Sequence, residues 1–312
     1  IETDWIRDTP GVINAFFTAV KAFTKEGEGV MLMTPVYYPM YFAVSRHNRK
    51  LVENKLVRTD DTYEIDFDDF EAKAKDPNTK LLILCSPHNP SGRVWRREEL
   101  ERIGRICMDN HVLVVSDEIH FDLISPGYKH IVFASICEEF AMNSITCTAP
   151  SKTFNLAGLI GSYHIIYNDW LRDRILKESS LSHYNSMNLL SMYALIGAYK
   201  PEGYEWVDEL KEVLSGNVNY ACDYIEKHFE GVNVSKPEGT YMLFLDCTEW
   251  CKKHGKTITE LQAAGIEVGV IWQDGVAFHG PCHIRMNLAL PLSRVKEAFD
   301  RLDKYVFNPQ EA

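Results

Sequence analysis

Apolar runs that alternate with helical stretches constrain the fold of this chain more than any other feature of its sequence. Residues 80–85 and 112–116 are almost continuously apolar, as strands buried on both faces of a parallel sheet are. Between them, residues 97–110 have the apolar spacing of a helix. We therefore predict an α/β fold with a mostly parallel sheet covered on both faces.

The same criteria assign elements to the rest of the chain. Helical spacing from Val12 to Phe23 ends at two glycines. The other predicted strands are residues 30–33, 144–147, 162–166, 240–245, 266–272 and 284–288, and the other predicted helices are 37–46, most of 169–229, and 292–305. A chain of 312 residues is long enough for two domains, so we predict a large domain over residues 1–204 and a smaller α+β domain over residues 205–312.

Chemically useful side chains follow the predicted strands of the large domain. Asn89 lies in a loop with two prolines, Asp117 directly follows the strand at 112–116, and Lys152 lies in a turn of small residues. Arg285 falls within the last predicted strand. Ligands of open α/β sheets bind beside the carboxyl ends of the strands, so we expect a shared site there. An amide, a carboxylate, an amine and a guanidinium are the groups that pyridoxal 5′-phosphate (PLP) requires.

Three longer segments carry a family resemblance: residues 116–122, 149–158 and 237–246. With them, the chain resembles PLP-dependent enzymes of the class I/II aminotransferase superfamily. Within it, the chain is most similar to the MalY/PatB branch of cystathionine β-lyases and cysteine-S-conjugate C–S lyases. The resemblance extends over essentially the whole chain. It implies the aspartate-aminotransferase-like fold, a small-molecule amino-acid substrate and a homodimer.

The resemblance also implies roles for the residues around the expected cofactor ring. Lys152 matches the lysine that binds the PLP aldehyde covalently and later acts as a base. Asp117 matches the carboxylate that keeps the pyridine nitrogen protonated. Asn89 matches the amide that hydrogen-bonds the phenolic oxygen of the ring. His120 stands where aminotransferases usually have tyrosine, and is either a second donor to that oxygen or a structural histidine.

Two further matches concern the ring face and the substrate. Tyr37 matches the aromatic residue that stacks on the ring, with Tyr38 as the alternative. Arg285 matches the arginine that binds the substrate α-carboxylate, for which its planar fork is suited.

Phosphate binding is expected at the start of the first long helix, where Gly11 and Val12 offer free amides. Ser151 is a candidate hydroxyl donor. Many aminotransferases have a serine three residues before the lysine and an arginine about eight residues after it, whereas this chain has Ala149 and Ile160. We therefore expect phosphate recognition to depend on amides, hydroxyls and a partner subunit. The resemblance also implies a further N-terminal segment before Ile1.

Composition argues against several other classes of protein. The formal net charge of −11 disfavours nucleic acid and anionic membranes as partners, since both call for basic surface. Cys247 and Cys251, even with His254 nearby, do not have the spacing of a zinc site, and we predict no metal. The eight cysteines fit a reduced, cytoplasmic protein.

The predicted activity is PLP-dependent β-elimination from cystathionine or a cysteine S-conjugate, giving a thiol, pyruvate and ammonia. The main alternative is a PLP-dependent aminotransferase acting on an amino acid and a 2-keto acid, which needs the same core residues. His120 and the absence of an arginine at position 160 favour the lyase. A regulatory or binding module on the same fold is a second alternative, which an intact Lys152 and Asp117 disfavour.

Overall fold

The computed structural model describes residues 1–59 and 62–309. The strands of this part of the chain are β1 (Ile6–Thr9), β2 (Gly29–Thr34), β3 (Lys50–Lys55), β4 (Val57–Arg58), β5 (Tyr63–Glu64), β6 (Thr79–Cys85), β7 (Leu113–Asp117), β8 (Ser144–Thr148), β9 (Ser162–Ile165), β10 (Asn233–Val234), β11 (Met242–Asp246), β12 (Gln273–Asp274) and β13 (His283–Asn287). Seven form one sheet in the order β1-β9-β8-β7-β6-β2-β3. The strands from β8 to β3 in this order are parallel, and β9 and β1 extend the sheet in antiparallel pairings.

Helices cover both faces of the large sheet, as the continuous apolar runs predict. The helices of the described residues are α1 (Val12–Phe23), α2 (Pro39–Ser45), α3 (Phe67–Ala74), α4 (Arg97–Asp109), α5 (Glu138–Met142), α6 (Pro150–Thr153), α7 (Asp169–Ser180), α8 (Leu189–Ala198), α9 (Pro201–His228), α10 (Thr248–His254), α11 (Ile258–Glu267) and α12 (Leu292–Leu302). Leu81 and Ile83 pack in the cluster with α1, α2 and α7. Leu82 and Leu84 face the opposite cluster with α3, α4 and α5. Successive residues of β6 thus supply both cores.

The C-terminal part has a separate core around a four-stranded antiparallel sheet in the order β10-β11-β13-β12. Helices α9 to α12 pack on this sheet around fully buried residues such as Leu261 and Phe299. The predicted domain boundary between residues 204 and 205 falls in the first turn of α9, and it stays a prediction.

The predicted fold class is confirmed, but one predicted strand is wrong. Residues 266–272 are the end of α11 and a following loop, in which Gly269 has the left-handed φ of +81° common at helix ends. The side chains of Val270 and Trp272 are buried in the C-terminal core, which explains the strand-like apolar pattern. The strand β12 begins only at Gln273.

Candidate active site

A cavity of about 370 Å³ lies at the carboxyl ends of the parallel strands and is lined by every predicted site residue. These residues are Gly11, Val12, Tyr37, Asn89, Asp117, His120, Ser151, Lys152 and Arg285. A larger cavity, of about 770 Å³, lies between the 125–128 loop and α9 and contains none of them. The structure therefore brings the predicted side chains together in one place.

Asp117 is buried beneath this cavity at the end of the central strand β7. It lies opposite Cys85 of β6 and Cys147 of β8, so the sheet fixes its backbone on both sides. Burial raises the pKa of its carboxyl group to about 7, while the Ile119 amide, which donates to Oδ1 at 3.3 Å, and the charge of Lys152 act to lower it. A cation placed beside Asp117 would therefore favour the ionised carboxylate.

Lys152 lies on α6, the single turn that follows β8. Burial lowers the pKa of its ammonium group, with a smaller contribution from the positive charge of Arg285, and Asp117 opposes both. Among the described residues, Lys152 forms no ion pair within 4 Å. Its amine is thus easier to deprotonate than that of a surface lysine and is available for chemistry.

Arg285 lies on β13 and joins the C-terminal core to the cavity. Its Nη1 donates to Oδ1 of Asn89 at 3.0 Å, although the two residues are 196 positions apart. Its Nη2 donates to Oε1 of Gln273, and the guanidinium lies 4.7 Å from the ring centre of Phe278. The guanidinium is therefore held in one orientation beside the Asn89 loop.

His120 and Tyr37 are neutral groups at neutral pH. Burial, reinforced by the charges of Lys152 and Arg285, lowers the pKa of His120 to about 3. Burial raises the pKa of Tyr37 to about 12. Tyr38, the alternative candidate for stacking on the ring, lies outside the cavity. It packs edge-on against Phe278 at 5.7 Å and is not among the lining residues.

The buried Nδ1 of His120 has no hydrogen-bond partner within the described part of the chain. An unpaired buried polar atom costs about 1–3 kcal/mol, so it calls for a polar group from a ligand. Together with an unpaired lysine and a buried carboxyl group, this atom makes the cavity fit a polar cofactor with an aldehyde and a basic nitrogen.

One wall of the cavity is formed by the start of α1. Gly11 is its N-cap, with a left-handed φ of +89°, and no side chain caps the first amides of the helix. Ser151 lines the same cavity from α6, and Ile160 lines it at the position where the family resemblance leads us to expect the arginine of many aminotransferases. Free helix amides and a hydroxyl are suited to bind an anion there.

Sequence reasoning missed several residues of the site. Met242 and Ile119 line the cavity, Tyr241 packs edge-on against His120 at 5.7 Å, and Gln273 orients Arg285. Met242 and Tyr241 belong to the 237–246 segment that carries the resemblance, so that segment was the available signal. No sequence signal pointed to Gln273, because the strand predicted at 266–272 ends just before it.

Glu118 follows Asp117 but serves a structural network on the other side of the strand. Its carboxylate accepts hydrogen bonds from Ser116 Oγ at 2.9 Å and from the Phe133 amide at 3.0 Å, and its other oxygen lies 2.8 Å from Nε2 of His130. Only the first of the two adjacent acids therefore faces the cavity.

The fold and this constellation define a class of protein. Residues 8–302 match the family model described as aminotransferase class I and II, and the chain belongs to that family. It is 37% identical to the cystathionine β-lyase PatB of Bacillus subtilis, over 97% of this chain and 78% of that protein. The structure of cystalysin from Treponema denticola, which contains a PLP cofactor, is 39% identical, with a TM-score of 0.94, covering 99% of this chain and 78% of that one. The predicted family is thereby confirmed.

A third relative extends the comparison to an enzyme named for carbon–sulfur bond cleavage. The PLP-bound C–S lyase of Staphylococcus hominis is 32% identical, with a TM-score of 0.89, and the match covers 97% of this chain and 76% of that one.

No helix among the described residues has both the length and the apolar character that a membrane crossing requires.

Proposed function

We propose that this protein is a PLP-dependent carbon–sulfur β-lyase that acts on cystathionine or a cysteine S-conjugate. The observation that carries the proposal is the single cavity in which Lys152, Asp117, Asn89 and Arg285 meet. The names of the three relatives support the predicted lyase class and PLP dependence.

Each residue of the cavity has a proposed task. Lys152 holds the cofactor and, once released, removes the α-proton of the substrate, which its lowered pKa favours. PLP, when bound, supplies the electron sink for the charge left at the α-carbon. Asp117 maintains a positive charge on the cofactor nitrogen, and Asn89 and the neutral His120 donate to its phenolic oxygen. Arg285 binds the α-carboxylate of the amino-acid substrate.

The phosphate is proposed to bind at the start of α1 through the amide of Val12 and the amide that follows it, with Ser151 as hydroxyl donor. The Gly11 amide, predicted to be free, instead donates to the Thr9 carbonyl at 2.9 Å, so Gly11 supplies the turn before the helix and no free donor. Tyr37 is proposed to stack on the ring.

Product analysis separates the lyase from the aminotransferase. With cystathionine and no keto acid present, a β-lyase releases pyruvate, ammonia and homocysteine at equal rates. An aminotransferase needs a keto acid acceptor and releases no thiol. Turnover that depends strictly on the acceptor would overturn the lyase proposal, and cofactor binding without either reaction would favour a binding module.

A homodimer is part of the proposal and is supported by an exposed apolar face on α8. Leu189, Leu190 and Tyr193 are 65%, 70% and 66% exposed, and a patch of this kind on a folded chain indicates an interaction surface. The helix adjoins the cavity wall, because Ser191 Oγ donates to the carbonyl oxygen of Leu159. A second subunit on this face would lie beside the phosphate end of the cavity.

Light scattering tests the dimer. We expect Leu190→Glu to lower the molecular mass to that of one chain, while Ile271→Glu, at a site 88% exposed on the C-terminal part, leaves it unchanged. An unchanged mass in the Leu190→Glu variant would show that α8 is not part of the interface.

The cytoplasmic location of the protein stays a prediction.

A further inference from the structure

The helical turn that carries Lys152 is too short to hold its own direction. The helix α6 has four residues, and two backbone hydrogen bonds from the following chain close it: from the Phe154 amide to the Pro150 carbonyl at 2.9 Å, and from the Leu156 amide to the Ser151 carbonyl at 3.0 Å. Isolated helical turns are unstable, because the first turn fixes several dihedral angles for one hydrogen bond. The orientation of Lys152 must therefore come from contacts outside the turn.

One such contact comes from the residue next to Lys152. Thr153 is fully buried on the side of α6 away from the cavity, and its Oγ1 donates to Oδ2 of Asp122 at 2.9 Å. The carboxylate is half-buried, and a hydrogen bond to a charged acceptor in such a place is stronger than one between neutral groups.

Asp122 belongs to the same segment as two residues of the cavity. The chain folds back on itself after Asp117, with hydrogen bonds from the Phe121 amide to the Glu118 carbonyl and from the Leu123 amide to the His120 carbonyl. One segment therefore places Asp117 and His120 in the cavity wall and also, through Asp122, accepts the hydrogen bond from the turn that carries Lys152.

An aromatic cluster lies next to this contact and packs on the end of the lysine turn. Phe154, which ends the turn, packs edge-on against Tyr199 at 5.6 Å and stacks on Trp206 at 6.2 Å. The Tyr163 hydroxyl donates to the Tyr199 hydroxyl at 3.2 Å. Asp122 lies close to this cluster, because its negative charge contributes to raising the pKa of the Tyr163 and Tyr199 hydroxyls, after the larger effect of burial.

We propose that Asp122 and Thr153 are positioning residues, which fix the direction of the Lys152 side chain relative to Asp117. This inference rests on the proposed role of Lys152 in the lyase reaction. Because neither side chain touches the Arg285 end of the cavity, their loss should affect the chemical step and leave the binding of the α-carboxylate intact.

Four single variants of the PLP-loaded protein test the proposal: Asp122→Ala, Asp122→Asn, Thr153→Val and Thr153→Ser. We expect Thr153→Val and Asp122→Ala to lower kcat by about 10–100-fold with KM changed less than about twofold, since misplacing a reacting group by 1 Å can cost about 100-fold. Thr153→Ser and Asp122→Asn keep a donor and an acceptor and should retain most of the activity. The double variant Asp122→Ala/Thr153→Val should be no worse than either single one.

A second readout separates positioning from general destabilisation. The visible circular dichroism of the bound cofactor reports its orientation, and we expect it to change in Thr153→Val and to be restored in Thr153→Ser. Thr24→Val is the matched control, because buried Thr24 accepts a hydrogen bond from Arg49 Nε at 2.8 Å far from the cavity. It should lower Tm without changing kcat or the cofactor spectrum.

Wild-type kcat and cofactor spectrum in Thr153→Val and Asp122→Ala would overturn the inference, as would a loss confined to Tm. If Asp122→Ala does not fold, the two Thr153 variants decide alone. If the wild-type protein releases no pyruvate or thiol, the proposed function fails, and the cofactor spectrum still decides whether Thr153 and Asp122 position Lys152.

Discussion

Replacing Asp117 by asparagine should abolish turnover and yet stabilise the cofactor-free protein above neutral pH. Burial raises the pKa of this carboxyl group from 3.8 to about 7, with the Ile119 amide and Lys152 acting in the opposite direction. Each tenfold change in a proton equilibrium is worth about 1.4 kcal/mol, so the difference amounts to about 4 kcal/mol of unfolding free energy at most.

The sign follows from the order in which the two states lose the proton. As the pH rises from about 4 to about 7, the unfolded chain has already lost the Asp117 proton while the folded chain still holds it. The folded state then binds more protons than the unfolded state, so its stability falls with rising pH over this window. Above pH 7 the unfolding free energy has fallen by the full amount. Asparagine never ionises, so the unfolding free energy of the variant does not show this fall with pH.

Urea unfolding of cofactor-free wild-type and Asp117→Asn protein between pH 4 and 8.5 measures the effect. We expect equal unfolding free energies near pH 4 and a difference that grows to about 2–4 kcal/mol in favour of the variant at pH 8. Pyruvate release by the variant, loaded with PLP, should be lost. A difference that does not change with pH would show that Asp117 ionises normally in the folded protein, and that burial does not govern its proton.

Two further substitutions test the site, and a pair of glycine substitutions tests the backbone outside it. Lys152→Ala should eliminate steady pyruvate and thiol release even where PLP still binds, and appreciable turnover would remove Lys152 from the chemistry. Arg285→Lys should lower kcat/KM by about 10–100-fold, because a charged bidentate contact is worth about 1.5–3 kcal/mol; steady-state kinetics that stay within twofold of wild type would exclude such a contact. Gly92→Ala should destabilise the protein by more than 2 kcal/mol in urea unfolding, since Gly92 has a φ of +75° and an added Cβ would lie 2.3 Å from Cβ of Pro237. Gly127→Ala, with a φ of +90° and no atom within 4 Å of the added Cβ, should lose only about 1–2 kcal/mol, and equal losses would contradict the steric argument.

The parts of the fold that sequence predicted are those with strong local patterns. The runs that became β6, β7 and β8 are buried on both faces, so their apolar character is continuous and their carboxyl ends can be located. Asp117 is the last residue of β7, and Asn89 and Lys152 come shortly after β6 and β8, so these residues were found from the strand ends. Edge strand β1 (Ile6–Thr9) was not predicted, because three of its four residues are polar or charged and its partner β9 (Ser162–Ile165) is distant in the sequence.

Contacts between distant segments were beyond sequence reasoning. The strand predicted at 266–272 shows why: its alternating apolar residues Val268, Val270 and Trp272 belong to the loop after α11 and pack on one core, while Ile266 at the helix end is exposed. The Asn89–Arg285 hydrogen bond joins two elements with no shared local pattern. Its existence follows only from how the C-terminal sheet packs on the Asn89 loop.

Ile160 illustrates how one such contact changes the chemistry of the site. It has a left-handed φ of +56°, which is uncommon for a β-branched residue, and its Cγ2 would lie 3.2 Å from a Cβ placed on Gly11. An apolar side chain therefore packs against the glycine that starts α1. The cations that line the described cavity, Lys152 and Arg285, are committed to the cofactor and the substrate carboxylate in the proposed reaction. Any anion bound at the start of α1 must therefore depend on the helix amides, an interaction of about 1 kcal/mol, and on nearby hydroxyls. Because this binding is weak, a donor from a second subunit on α8, as in the proposed dimer, would strengthen it.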